Sequence, residues 1–297
     1  MGTPDFAVNP LKRLCSDGHE ITCVVTQPDK PRDRGMRTGF NPVKQLAAER
    51  GIMIYQPVSL RDDGVIERLR GSGCDLIVVV AYGKRLPEEL LDMPPFGCIN
   101  IHGSLLPKYR GAAPVQWAVL SGETETGVTA IYMGKEIDSG DILASARTAI
   151  GDDETAGELY NRLSFLGADL LSQCIDDITR NTAARMPQNH AEATFAPPLK
   201  KDMSPIDWSK TALSIKYKVR GLNPWPVATA ELNGAVCKVF SVDIGTRAGE
   251  GAPGTVLSSG NHGIEVACSD GSVIIRELQA PGGKRMPAAE YIKGHAI

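Results

Sequence analysis

Over the first 180 residues, segments with the hydrophobic pattern of strands alternate with segments that have the hydrophobic spacing of helices. Short runs rich in apolar and β-branched residues predict strands over residues 21–26, 75–81, 98–102 and 127–133. Apolar positions three and four apart predict helices over 41–50, 62–71 and 154–180, with Pro42 at the first position of the earliest one. Strands that alternate with helices indicate an α/β fold whose mostly parallel sheet carries helices on both faces.

The pattern changes after residue 180. Polar sequence interrupted by prolines predicts a linker over residues 181–207. A short helix is predicted over 213–219. Runs separated by Asn-Gly, Pro-Gly and Asp-Gly turns then predict strands over 228–232, 236–242, 255–257, 263–267 and 272–278. Such short strands are typical of a small OB-like β-barrel. We therefore expect a Rossmann-like domain over 1–180, the linker, and an OB-like domain over 208–297.

The start of the chain departs from this pattern. Gly2-Thr3-Pro4 has the composition of the turn that follows the first strand of an α/β sheet, but only Met1 precedes it. A parallel sheet without that strand loses ladder hydrogen bonds and core area. We therefore expect the native chain to extend further upstream.

Composition excludes several classes of protein. The 297 residues are 42% hydrophobic and 23% charged, which is unlike a disordered, collagen-like or coiled-coil chain. No apolar run approaches the roughly 20 residues of a membrane helix, and no signal peptide is recognisable. We expect a cytoplasmic protein with reduced thiols, because its seven cysteines include no Cys-x-x-Cys pair. The five histidines show no metal-ligand spacing, so we expect no metal.

Charge is distributed unevenly along the chain. The net charge is −3, yet residues 199–297 carry 12 Lys and Arg against 9 Asp and Glu. This more basic C-terminal third is a weak indication of an anionic partner, and chance scatter of surface charge explains it equally well.

Three polar side chains form a candidate site for acyl transfer. Asn100 and His102 lie two apart on a predicted strand, so both side chains emerge on one face at its carboxyl end, just before Gly103. Asp138 supplies a carboxylate from a second loop. An amide or imidazole N–H can stabilise an oxyanion, and a histidine held by a carboxylate can take a proton. Taken singly, each of these residues also fits a structural role.

The sequence around these residues closely resembles the signature of the folate-dependent formyltransferases. The resemblance rests on Asn-Ile-His-Gly-Ser-Leu-Leu-Pro at 100–107 and Tyr-Arg-Gly-Ala-Ala-Pro at 109–114. Segments 2–7, 26–31, 81–83, 122–127 and 223–226 resemble the branch of this family that acts on aminoacyl-tRNA. This resemblance implies transfer of a formyl group from 10-formyltetrahydrofolate to the α-amine of methionine on initiator tRNA.

The resemblance also implies roles for individual residues. Asn100 and His102 would stabilise the oxyanion, while Asp138 would hold His102 and help to remove the amine proton. The folate co-substrate would lie against two short segments, whose residues are Ser104, Leu105, Leu106 and Pro107, and Lys84, Arg85 and Leu86.

A basic loop over residues 29–40 is the second site that the resemblance implies. In the family the corresponding loop wedges into the tRNA acceptor stem, and Arg34 matches its key arginine. Lys30 and Arg37 add charge, although Arg32-Asp33 and Met36 depart from the common pattern. A solvated surface loop is the alternative interpretation.

Further substrate contacts are implied at both ends of the chain. Phe6 would border the pocket for the amino acid side chain, although core packing explains a phenylalanine equally well. In the C-terminal domain, Lys216 and Arg220 are four apart and share a helix face that could follow the tRNA backbone. We expect the chain to act as a monomer.

Three other functions remain open from the sequence. The first is a formyltransferase that acts on an amino group of a nucleotide sugar, and the second is the hydrolase domain of a formyltetrahydrofolate dehydrogenase. The third is a non-catalytic RNA-binding protein that kept the scaffold, against which the intact Asn100, His102 and Asp138 argue.

Overall fold

The computed structural model describes residues 1–29, 31–32, 37–247 and 250–295. These residues separate into two compact units. The first unit comprises Met1–Pro114, Glu125–Ala149 and Tyr160–Pro197, and the second comprises Val115–Thr124, Ile150–Leu159 and Pro198–Ile297.

The strands, in chain order, are β1 (Val24–Val25), β2 (Pro31–Arg32), β3 (Arg37–Thr38), β4 (Ile54–Tyr55), β5 (Ile77–Val79), β6 (Cys98–His102), β7 (Arg110–Gly111), β8 (Glu125–Tyr132), β9 (Ile142–Ala149), β10 (Phe195–Ala196), β11 (Ala228–Leu232), β12 (Ala235–Ile244), β13 (Val256–Gly260), β14 (Gly263–Ala267), β15 (Ser272–Gln279) and β16 (Arg285–Pro287).

The α-helices are α1 (Val8–Ser16), α2 (Pro42–Glu49), α3 (Asp63–Arg70), α4 (Glu88–Leu91), α5 (Pro114–Leu120), α6 (Ala156–Thr179), α7 (Ala212–Gly221) and α8 (Ala288–Tyr291). Single 3₁₀ turns cover Asp5–Ala7, His190–Glu192 and Lys201–Met203. None of the helices in the described ranges combines the length and apolar character needed to cross a membrane.

Capping residues explain where the predicted helices begin. The Asn41 side chain accepts a hydrogen bond from the Lys44 backbone N–H at the start of α2, and proline follows at the first helical position. The Asp62 side chain accepts from the Gly64 N–H at the start of α3. The helices predicted over 41–50, 62–71 and 154–180 are therefore confirmed.

The first unit contains a two-stranded parallel sheet, β1-β4, and a four-stranded mixed sheet, β5-β6-β8-β9. β1 pairs in parallel with β4, and β5 pairs in parallel with β6, whereas β8 and β9 add to β6 in antiparallel order. Met1 and Gly2 bridge the two parallel pairs: the Gly2 N–H donates to the Val25 carbonyl at 3.0 Å, and the Val80 N–H donates to the Met1 carbonyl at 2.8 Å. The Rossmann-like α/β class is confirmed, with an antiparallel half that the sequence does not indicate.

The second unit is built on an antiparallel sheet. Its strands follow the order β11-β12-β15-β14-β13, with β16 paired to β15. The five strands predicted after Pro226 are all present, and α7 packs on the sheet through Ile215 and Val219. The sheet order is open: the described part of the chain shows no pairing that closes it into a barrel.

Candidate active site

The buried strand β6 positions the first two candidate residues. All five of its residues are buried, with Ile99 and Ile101 facing the apolar side and Asn100 and His102 facing the opposite side. Asn100 is 9% exposed and His102 is 5% exposed. Both lie at the carboxyl end of a strand whose neighbour β5 is parallel, which is where ligands bind in open α/β sheets.

Asp138 joins these side chains to the neighbouring loop. Its Oδ2 lies 3.5 Å from His102 Nδ1 and accepts a 2.9 Å hydrogen bond from the Gly111 N–H. Its Oδ1 accepts a longer, 3.5 Å bond from Asn100 Nδ2. The structure therefore brings the three predicted residues together, with the carboxylate at their centre.

Both ring nitrogens of His102 face oxygen acceptors. Nε2 lies 2.9 Å from the Tyr109 carbonyl oxygen, and Nδ1 lies 3.5 Å from Asp138 Oδ2. Both nitrogens of the imidazole therefore lie within reach of an oxygen of the protein, and a neutral ring donates a hydrogen bond to one of the two.

The loop after β6 is tied to β8 by a buried threonine. Thr129 Oγ1 donates to the Ser104 carbonyl at 2.7 Å and accepts from the Leu106 N–H at 3.1 Å. The Ser104 hydroxyl turns inward and donates to the Lys108 carbonyl at 2.6 Å. Leu106 is buried, while Leu105 and Pro107 are half-buried beside it. Sequence reasoning missed Thr129, because its place opposite His102 depends on the antiparallel pairing of β6 with β8, which the sequence does not indicate.

The residues of the second predicted folate segment, 84–86, contact other parts of the protein. Lys84 Nζ donates to the carbonyls of Pro57 and Val58 at 2.9 and 2.7 Å, and the Arg85 guanidinium donates to the Lys135 carbonyl. Leu86 is buried in a hydrophobic cluster with Val25 and Leu90. Contact of these three residues with folate remains a prediction.

The segment predicted as a linker contributes directly to the site. Gln188 is buried, and its amide reaches the loop that carries Asp138. Thr194 accepts the Tyr109 N–H on its hydroxyl at 2.8 Å and the Arg110 N–H on its carbonyl at 2.8 Å. β10 then pairs in parallel with β7. No local sequence signal marks Gln188 or Thr194, because their partners lie 48 to 85 residues away.

Lys30 and Arg34 of the predicted basic loop lie outside the described residues, and Arg37 begins β3, which pairs with β2. Asp29, just before the loop, binds Lys44 Nζ and accepts a 3.0 Å bond from Gln56 Nε2. The Lys44 hydrogen bond, with help from Gln56, lowers the pKa of Asp29. Lys44 also lies 4.2 Å from the centre of the Phe40 ring. The start of the loop is thus anchored to α2.

Phe6 lies in the core of the first unit. It is 3% exposed, and its ring centre lies 4.9 Å from that of Tyr160. Its carbonyl accepts a 2.9 Å bond from the Ser164 hydroxyl. Burial raises the pKa of Tyr160 to about 12. A role in binding the amino acid side chain remains a prediction.

Lys216 and Arg220 share one face of α7 and contact the same short segment of the second unit. Lys216 Nζ lies 2.6 Å from Asp153 Oδ1 and, through a hydrogen bond, lowers the pKa of that carboxyl. The buried Arg220 guanidinium donates to the carbonyls of Asp152 and Glu154. Their contact with RNA remains a prediction. Within the ranges that the structure describes, no three His, Cys, Asp or Glu side chains are grouped to hold a metal ion.

Comparison with known families identifies the chain. Residues 1–175 match the formyl transferase family model, and residues 198–296 match the formyl transferase C-terminal domain model. The chain therefore belongs to the formyl transferase family.

Two relatives named methionyl-tRNA formyltransferase align with the complete chain. The relative from Citrifermentans bemidjiense is 48% identical over 297 residues, which is 93% of its own length. The relative from Acetivibrio thermocellus is 45% identical over 298 residues, which is 96% of its own length.

Solved structures share the fold at lower identity. WlaRD, a sugar 3N-formyl transferase solved with dTDP and 5-N-formyl-THF, gives a TM-score of 0.67 at 20% identity and covers 94% of this chain and 95% of its own. HypX from Aquifex aeolicus, solved with tetrahydrofolic acid, gives a TM-score of 0.60 at 21% identity. The match covers 84% of this chain and 43% of the HypX chain.

Proposed function

We propose that this formyl transferase transfers the formyl group of 10-formyltetrahydrofolate to the α-amino group of methionyl initiator tRNA, giving N-formylmethionyl-tRNA for translation initiation. The observation that supports methionyl-tRNA as the formyl acceptor is the 45–48% identity, over the complete chain, to relatives named methionyl-tRNA formyltransferase. The sugar enzyme shares the fold at only 20% identity, and a shared fold does not fix the acceptor.

The chemistry is a direct attack of the neutral amine on the formyl carbon. A carbon–nitrogen bond forms and the carbonyl electron pair moves onto the formyl oxygen. When this tetrahedral intermediate collapses, the bond to N10 of the folate breaks, N10 accepts a proton and the amine nitrogen loses one. The products are the formamide on methionine and tetrahydrofolate. No covalent enzyme intermediate is needed.

The three site residues divide this work. Asn100 binds Asp138 through its Nδ2, and the second N–H of the same amide is assigned to the oxyanion. His102 Nε2 donates to the oxyanion in competition with the Tyr109 carbonyl that it faces in this structure. Asp138 orients His102 through Nδ1 and helps to accept the amine proton.

The two substrates are assigned to different surfaces. Folate lies along residues 104–107 and 84–86. The tRNA is held by the basic loop with Lys30, Arg34 and Arg37, and by the domain over 208–297 with Lys216 and Arg220. We propose that the chain works as a monomer in the cytoplasm, where charged tRNA is found, and size-exclusion chromatography tests its oligomeric state.

The test is transfer of radiolabelled formyl from 10-formyltetrahydrofolate to three acceptors in parallel. Methionyl initiator tRNA should be labelled, while methionyl elongator tRNA and an amino-sugar nucleotide should not. Label on the sugar nucleotide alone would keep the formyl chemistry and overturn the tRNA acceptor. Arg34→Ala should raise the KM for tRNA, and an unchanged KM would remove the basic loop from the proposal.

A further inference from the structure

We propose that Gln188, which lies in the segment over residues 181–207, is a positioning residue that holds the Asp138 carboxylate in its working orientation, and that Arg110 holds Gln188 in turn. This inference rests on the proposed formyl transfer, because the group it positions is the Asp138 carboxylate.

The turn that carries Asp138 has an unusual backbone. Asp138 has a φ of 52°, in the left-handed region that few residues with a Cβ adopt, aspartate and asparagine more readily than most. Two residues on, Gly140 lies so close to β8 that a Cβ there would be 1.8 Å from the Tyr132 carbonyl oxygen. A turn of this kind persists only where surrounding contacts fix it.

Gln188 supplies these contacts. Its Nε2 donates to the Asp138 carbonyl at 2.9 Å and to the Gly140 carbonyl at 2.8 Å, so one side chain binds both ends of the turn. Gln188 is 6% exposed, so water does not readily replace either bond.

Arg110 determines which way the Gln188 amide points. The Arg110 guanidinium is buried and donates twice to Gln188 Oε1, at 2.6 and 3.2 Å. A guanidinium only donates and a backbone carbonyl only accepts. The amide oxygen must therefore face Arg110, and both amide protons then face the turn.

The same arginine closes the network through its backbone. Arg110 precedes Gly111, whose N–H binds Asp138 Oδ2 at 2.9 Å. Asp138 is thus held at its carboxylate by the residue after Arg110 and at its carbonyl by Gln188. Loss of the Gln188 donors frees the turn to rotate the carboxylate away from His102.

Gln188→Glu separates this role from simple pairing with Arg110. Glutamate keeps an acceptor for the buried guanidinium, and an ion pair replaces the neutral contact, but it removes both donors to the turn. We expect the melting temperature to fall by about 2–8 °C, because the Asp138 and Gly140 carbonyls lose their donors, and kcat measured well below that temperature to fall about 10- to 100-fold. KM for 10-formyltetrahydrofolate and for tRNA should change less than threefold. Gln279→Glu is the matched control, since Gln279 also donates to a backbone carbonyl, that of Gly283. Its kcat should be unchanged.

Two outcomes would overturn the proposal. If Gln188→Glu keeps the wild-type kcat, Gln188 serves only to satisfy Arg110. If kcat and melting temperature fall together and a temperature shift restores kcat, the role is general stability. A crystal structure of Gln188→Glu gives a readout independent of the acceptor: we expect the distance from Asp138 Oδ2 to the Gly111 nitrogen to exceed hydrogen-bonding range. An unchanged distance in the variant would contradict the positioning role of Gln188. Failure of the wild-type protein to formylate tRNA would instead contradict the proposed function, so the two failures can be told apart.

Discussion

The two ends of the parallel strands in the first unit differ sharply. At their carboxyl ends, Asn100, His102 and Asp138 form a buried network that continues through Gly111 and Gln188. At their amino ends, a cavity of about 430 Å³ separates β1 from β5, with lining residues that include Ile21, Cys23, Leu76 and Val78. One end of the strands is a closely connected polar site, and the other borders a cavity lined by apolar residues together with polar ones such as Glu20 and Asp75.

The residues that the proposed mechanism uses lie at the carboxyl ends of these strands. The following predictions test whether this network and the segments that hold it can be disturbed independently.

The largest effect is expected for Asp138→Asn. The neutral amide keeps the shape of the side chain but loses the charge to which the proposed mechanism assigns the orientation of His102 and the removal of the amine proton. We expect kcat to fall about 10²- to 10³-fold, measured by formyl transfer at saturating substrates. The free energy of unfolding should change little. A kcat within threefold of the wild type would show that Asp138 is structural.

A smaller effect should appear at Thr129, which joins the loop after β6 to β8. Thr129→Val leaves the Leu106 N–H and the Ser104 carbonyl without their partner. We expect a loss of about 1–3 kcal/mol in the free energy of unfolding, together with a lower kcat. Ser145→Ala removes a single 3.3 Å bond to the same threonine oxygen and should cost less. Equal losses for both variants would contradict this account of the loop.

The smallest effect is expected at the base of the basic loop. Asp29→Ala removes the ion pair with Lys44, which is worth at most about 1 kcal/mol for a partly exposed pair. KM for tRNA should rise about fivefold while kcat stays constant. Asp17→Ala is the matched control, because Asp17 pairs with Arg13 at 2.8 Å on α1. A similar rise in KM for both variants would show that the anchor has no specific role.

The sequence could predict those parts of the site whose residues lie close together along the chain. Asn100 and His102 are two apart on a buried strand, so their shared face follows from strand geometry. The Gln188 contacts join residues 48 and 50 apart, which no periodicity reports. Strand β9 was missed because its alternate residues are exposed and mostly small or polar, so it lacks an apolar run. Arg220 is a second example. Its spacing from Lys216 predicted the helix face that it occupies, but could not predict the distant backbone carbonyls that its guanidinium binds.

The most direct test of the account is the single-turnover rate of formyl transfer to methionyl initiator tRNA by wild-type protein and by His102→Ala, with both substrates bound in advance. His102 contacts Asp138 and the Tyr109 carbonyl, and its imidazole is assigned to the oxyanion. We predict that the chemical step slows at least about 100-fold while tRNA binding is retained. An unchanged single-turnover rate would contradict the catalytic assignment of this network.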